Sequence, residues 1–177
     1  MLPHGRGYLL TLLPDKHEYS TLQLSFIYPY KQGAAVFKTI LHATDMSENH
    51  FDLCRQSVDF AKSLGAEIYF LNVIETPTSL QLAQGLGFAE LANPAKEDAQ
   101  TVMSTIGDAL NVPPSHLFVE VGSAYKHILA KISELNCDLV ILGTHQQNLP
   151  SFLGSTAHAV VHHAPCAVLT IRTPKSE

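Results

Sequence analysis

Residues 138–156 read Asp-Leu-Val-Ile-Leu-Gly-Thr-His-Gln-Gln-Asn-Leu-Pro-Ser-Phe-Leu-Gly-Ser-Thr, and this stretch decides the fold. A short apolar run, typical of a buried strand, leads into a loop bounded by Gly143 and Gly154. The amphipathic segment 157–164 follows and predicts a helix that begins near Ser155. Because the N–H groups at a helix start are unpaired and carry partial positive charge, such a turn is suited to holding a phosphate.

The same alternation of strand and helix runs along the chain from Phe37. Apolar runs predict five strands, and amphipathic stretches with start and stop signals predict four helices between them. The predicted strands are Lys38–Ala43, Glu67–Ile74, Leu117–Val121, Asp138–Leu142 and Cys166–Ile171. This pattern is typical of an α/β protein with an open five-stranded parallel sheet and helices on both faces.

Ligands of open parallel sheets bind beyond the carboxyl ends of the strands, where the strand order reverses. If the first and fourth predicted strands are the central neighbours, the order is 3-2-1-4-5 and the loops after these two strands meet. These loops are Ala43–Asp45 and Gly143–Ser155. We therefore expect a binding site between them.

The bulk composition excludes several classes of function. The chain has 177 residues, which fits one domain, and a net charge of −5, which gives no general attraction to nucleic acid or anionic membranes. No apolar run approaches the length of a membrane span. His158 and His162 lie four residues apart on one predicted helix face, but no third ligand accompanies them, so no metal site is predicted.

The three cysteines, Cys54, Cys137 and Cys166, are an odd number and form no CxxC pair. This usage is typical of buried thiols in a reducing cytosol, and the predicted location is therefore cytoplasmic.

Residues 1–36 lack the periodicity of the rest of the chain. We expect them to be an N-terminal extension that is poorly ordered, or a start-site artefact if translation begins at Val36. The predicted domain then covers residues 37–174.

Several pieces together resemble the universal stress protein family, in particular the universal stress protein A-like domain. They are Lys38–Asp45, Asn72-Val73, Asp138–His145, Leu153–Thr156 and His163–Ile171. Each piece is weak alone, but their order and spacing make the resemblance specific. It covers residues 37–172.

The resemblance implies a Rossmann-like, adenine nucleotide alpha hydrolase-like fold and a small stress-response regulatory module, usually a homodimer. It also implies a site for ATP or AMP, in which an aspartate and a valine hold adenine and ribose, and a G-x2-G-x9-G-[S/T] loop holds ribose and phosphates. The implied nucleotide-binding residues are Ala43, Asp45, Val73, Leu142, Gly143, His145, Gly154, Ser155 and Thr156.

The loop departs from that pattern at two points. Gln146 replaces the middle glycine, and the segment from Gln147 to Leu153 is two residues shorter than the pattern requires. The shortened loop resembles the universal stress protein A branch, which implies an alternative function: a nucleotide-free dimeric stress protein that acts through protein contacts. Two structural interpretations also stay open, in which Asp45 caps the first helix and Gly154-Ser155 is only a helix-start turn.

The predicted function is non-enzymatic, and weak ATP hydrolysis is the least favoured hypothesis. The loop from Gly143 to Ser155 has no lysine or arginine to stabilise charge in a transition state. A homodimer is predicted through the edge strand Cys166–Ile171, since two such edges can pair across a two-fold axis. No nucleic-acid or membrane partner is predicted.

Overall fold

The computed structural model describes residues 9–12, 37–46, 50–75, 93–144 and 154–172. These residues form one parallel sheet of six strands, with the order β1-β6-β5-β2-β3-β4. The strands are β1 Leu9–Leu12, β2 Thr39–Thr44, β3 Glu67–Ile74, β4 Leu117–Val121, β5 Leu139–Thr144 and β6 Ala167–Arg172.

The five strands β2 to β6 confirm the predicted arrangement. Numbered from β2, their order across the sheet is 3-2-1-4-5, with the first and fourth strands as central neighbours. β2, β5 and β6 begin and end one or two residues later than predicted, so Thr44 and Thr144 belong to strands. β3 and β4 have the predicted bounds.

A sixth strand, β1, lies at the edge of the sheet and was not predicted. Leu9–Leu12 pairs in parallel with Val168–Ile171, on the edge of β6 that was expected to meet a second copy of the chain. The rest of the segment 1–36 lies outside the described residues. The expected disorder of this segment and the start at Val36 therefore stay predictions.

Four α-helices connect the strands among the described residues: α1 His50–Leu64, α2 Asn93–Leu110, α3 Ala124–Leu135 and α4 Ser155–His163. Three of them end at a residue in the left-handed region, namely Gly65 (φ 64°), Asn111 (φ 56°) and Asn136 (φ 51°). At each of these ends the N–H of the following residue reaches back to the last turn, as Ala66 N–H does to Ala61 O at 2.9 Å. The left-handed Asn111 thus ends α2.

Helices cover both faces of the sheet and bury two hydrophobic cores. On one face α1 and α2 pack against side chains such as Phe70, and on the other α3 and α4 pack against side chains such as Leu71. Val140 and Ile141, adjacent in β5, point to opposite faces and both are fully buried. This explains why the strand reads as a continuous apolar run, and each such side chain contributes roughly 2 kcal/mol by leaving water.

Asp138 joins three strands at their amino ends. Its carboxylate accepts the N–H groups of Lys38 at 2.8 Å and Thr39 at 3.1 Å, and its own N–H donates to Thr39 O. Its carbonyl accepts the N–H of Ala167. These bonds align the starts of β2, β5 and β6, so that their carboxyl ends meet at the opposite edge.

Candidate functional site

A cavity of about 510 Å³ lies over the carboxyl ends of β2, β3 and β5 and beside the N-termini of α3 and α4. Eight of the nine residues predicted for nucleotide binding line it; they are Ala43, Asp45, Val73, Leu142, Gly143, Gly154, Ser155 and Thr156. The ninth, His145, lies outside the described residues, as does Gln146. The strand order brings the starts of the two predicted loops together, since β2 and β5 are neighbours.

The α4 helix presents its N-terminus to this cavity. Gly154 is the N-cap residue, with φ −55° and ψ 161°, and among the described residues no side chain caps the helix start. The first intrahelical bond runs from His158 N–H to Gly154 O at 2.9 Å. The N–H groups of the first turn are therefore not taken by a capping side chain, which leaves partial positive charge beside the cavity.

The two glycines that bound the loop have different surroundings. A Cβ added at Gly143 would lie 2.8 Å from Leu53 Cδ1, so this glycine makes room for a side chain of α1. A Cβ added at Gly154 would meet no atom of the described residues within 4 Å. The described residues therefore leave room for a side chain at position 154.

A fixed turn carries Asp45 to the rim of the cavity. The buried Asn72 side chain donates from Nδ2 to Thr44 O at 2.9 Å, and Met46 N–H donates to Thr44 Oγ1 at 3.4 Å. Met46 has φ 57°, which is uncommon for a residue with a side chain. Whether Asp45 caps α1 depends on residues 47–49, which lie outside the described part of the chain, so that interpretation stays a prediction.

His42 forms the floor of the cavity and was not predicted as a site residue. Its Nδ1 hydrogen-bonds Ser57 Oγ at 2.5 Å, and its ring meets Phe70 edge-on, with the centroids 5.4 Å apart. Burial lowers the pKa of the imidazole from 6.5 to about 4, and the nearby Asp45 carboxylate opposes part of this effect. The ring is therefore neutral at physiological pH and brings no positive charge to the site.

Glu75, at the end of β3, is a second site residue that the sequence analysis missed. Its Oε1 accepts the N–H of Ala124, the first residue of α3, at 3.2 Å, and both residues line the cavity. Its position directly after a strand at the carboxyl end of the sheet is a signal that identifies it. The described lining residues include the carboxylates of Asp45 and Glu75 and no lysine or arginine.

Other functional groups contribute little to the site. Burial raises the pKa of the thiols of Cys54 and Cys137 to about 12 and that of Cys166 to about 11, so these cysteines are poor nucleophiles at neutral pH.

Within the described ranges, no three His, Cys, Asp or Glu side chains are placed to hold a metal ion. None of the helices in the same ranges combines the length and apolar character needed to cross a membrane.

Comparison with known proteins gives a single family. The family model described as the universal stress protein family matches residues 37–172. Universal stress protein A homolog 2 of Coxiella burnetii is 30% identical over 139 residues, which are 77% of this chain and 95% of that relative.

Solved structures show the same fold. Universal stress protein UspA from Lactobacillus plantarum is 25% identical with a TM-score of 0.53, and the match covers 76% of this chain and 97% of that structure. A universal stress protein crystallised in complex with cAMP is 15% identical with a TM-score of 0.56, over 78% of this chain and 98% of that structure.

Proposed function

Because the chain belongs to the universal stress protein family, we propose that it is a stress-response regulatory module that binds an adenine nucleotide. The nucleotide lies in the cavity between the loops after β2 and β5, with the base beside Asp45 and Val73. Its phosphate lies at the start of α4, against Gly154, Ser155 and Thr156.

One observation carries this proposal: Gly154 opens a helix whose first turn faces a cavity, and no atom of the described residues fills the space beside it. A glycine beside such open space allows a ligand to approach the backbone closely. The cavity volume of about 510 Å³ lies in the range of small-molecule sites. The relative crystallised with cAMP held a ligand of the proposed class, with adenine, ribose and phosphate.

Isothermal titration calorimetry with ATP and AMP tests this function. We expect Gly154→Val to weaken binding by about tenfold or more, since its side chain enters the proposed phosphate position, while thermal stability changes little because the added Cβ meets no atom of the described residues. Ala130→Val, at an exposed position of α3, is the control for the added bulk. Asp45→Ala is expected to weaken binding relative to Asp59→Ala, an exposed aspartate of α1. Absence of heat with every ligand at millimolar concentration would overturn the proposal.

We propose binding without hydrolysis, because the segment from Gly143 to Ser155 holds no lysine or arginine to stabilise a transferring phosphoryl group. We also propose a cytoplasmic location, because the three cysteines form no CxxC pair and are typical of thiols in a reducing cytosol. A phosphate-release assay with ATP checks this at the protein concentration used for binding. Steady release that disappears in Gly154→Val would show that the protein is an ATP hydrolase.

The second candidate function is a nucleotide-free dimeric stress protein, and the departures at Gln146 and in the shortened loop favour it. Dimerisation through β6 requires that β1 leave the edge, because Leu9–Leu12 already pairs with Val168–Ile171. Sedimentation of the full chain with and without nucleotide separates the two candidates. A dimer that binds no nucleotide favours the second.

A further inference from the structure

The chain segments that follow three of the strands in the sequence are acidic. The segments 45–49, 75–92 and 145–153, which follow β2, β3 and β5, contain four carboxylates and no lysine or arginine; the carboxylates are Asp45, Glu48, Glu75 and Glu90. Two of the four, Asp45 and Glu75, line the cavity itself. His42 adds no positive charge, because burial lowers its pKa to about 4.

The two helix N-termini at the cavity are not equivalent. At α4, Gly154 has no side chain with which to cap the helix. At α3, the Glu75 carboxylate accepts the N–H of Ala124, and its partner is a backbone dipole that does not carry a full opposite charge. One helix start therefore attracts an anionic group, and the other is already occupied by an anion of the protein.

We propose that the cavity selects adenine ligands of low negative charge, a nucleoside or a singly charged nucleotide, over metal-free ATP, and that Glu75 is the specificity-determining residue. This inference rests on the proposed function, since it concerns the same site. The α4 end accommodates one phosphate, whereas every further phosphate adds negative charge to a cavity that already holds the Glu75 carboxylate.

The size of the effect follows from the charges. At a separation on the order of 10 Å and an effective dielectric constant between about 20 and 80, one pair of like charges changes an affinity roughly two- to fifteen-fold. Glu75→Gln removes the charge and keeps an oxygen that can accept the Ala124 N–H. Glu67→Gln, at the opposite end of the same strand, is the matched control.

The experiment measures dissociation constants for adenosine, cyclic AMP, AMP and ATP in EDTA, with the wild-type chain and both variants. We expect adenosine and cyclic AMP to bind wild type more tightly than ATP. Glu75→Gln should tighten ATP binding several-fold or more and change adenosine binding less than about twofold, while Glu67→Gln changes neither. Raising NaCl from about 25 to about 250 mM should tighten ATP binding relative to adenosine, because salt screens the repulsion.

The outcomes distinguish this inference from the function on which it rests. ATP that binds wild type more tightly than adenosine, and that weakens with salt, would overturn the charge selection and leave the nucleotide site intact. An equal response of ATP and adenosine to Glu75→Gln would remove Glu75 as the selecting residue. If none of the four ligands binds, the nucleotide function fails, and the selection with it.

Discussion

Acidification is expected to destabilise the protein through His42. This side chain is 1% exposed, and its ring nitrogen is paired with Ser57 Oγ in the interior. Burial lowers the pKa of the ring to about 4 in the folded protein, against 6.5 for an unperturbed histidine. A proton is thus bound more readily by the unfolded chain than by the native one.

The sign and size of the effect follow from these two values. Above about pH 6.5 both states are neutral at this ring, and the native state keeps its full stability. As the pH falls below 6.5, the unfolded chain takes up the proton first, so stability is lost until about pH 4. The interval from 6.5 to about 4, at about 1.4 kcal/mol for each pH unit, corresponds to about 3 kcal/mol.

Urea unfolding at a series of pH values between about 7 and 4 measures this loss. Carboxylates also titrate near the lower limit, so the relevant quantity is the difference between wild type and His42→Asn. Asparagine cannot titrate, and its amide can still pair with Ser57. We expect wild type to lose about 3 kcal/mol more than His42→Asn. His158→Asn, at an exposed histidine of α4, is expected to follow wild type closely.

Parallel pH profiles for wild type and His42→Asn would refute this reasoning. If His42→Asn fails to fold, a proton NMR titration of the His42 ring in the wild-type protein replaces it. A ring that titrates near pH 6.5 in the folded protein would show that burial does not suppress its protonation.

Two further predictions concern the frame around the site. Asp138→Ala is expected to destabilise the protein by about 1–3 kcal/mol, because two backbone N–H groups lose a charged acceptor that is partly exposed to water. Urea unfolding of Asp138→Ala, with Asp108→Ala at an exposed position as the control, measures this loss. Equal free energies of unfolding for the two variants would contradict the prediction. The thiols of Cys54, Cys137 and Cys166 are expected to resist alkylation at about pH 8 in the native state and to react on unfolding. Rapid labelling of any of them in the folded protein, read by mass spectrometry, would contradict it.

Much of the fold was predictable because the signals are local. Alternating strand and helix patterns define a parallel sheet, and the geometry of crossover connections leaves few strand orders. β1 was not predictable in this way, since Leu9–Leu12 is a short apolar run without periodicity, and only its pairing with β6 identifies it as a strand.

Residues that directly follow β2 and β5 were predicted to line the cavity, whereas His42 and Glu75 act through partners that are distant in sequence and were not predicted. His42 lies within an apolar stretch of sequence that otherwise predicts only a buried strand. Its hydrogen-bond partner, Ser57, lies in α1, fifteen residues further along the chain. Glu75 meets Ala124 across 49 residues, so its role at the start of α3 has no local signature. Periodicity reports which face of an element is buried, whereas these contacts depend on how elements pack together.

Gly143 and Gly154 belong to one sequence motif, yet their surroundings assign them to different tasks. Replacement of Gly143 forces a change at Leu53, so loss of ligand binding in such a variant would have a structural explanation. Replacement of Gly154 meets open space, and its backbone angles are accessible to other residues. This open space among the described residues is what supports our proposal of a phosphate at the start of α4. A stable Gly154→Val variant that binds nucleotide as tightly as wild type would remove this support.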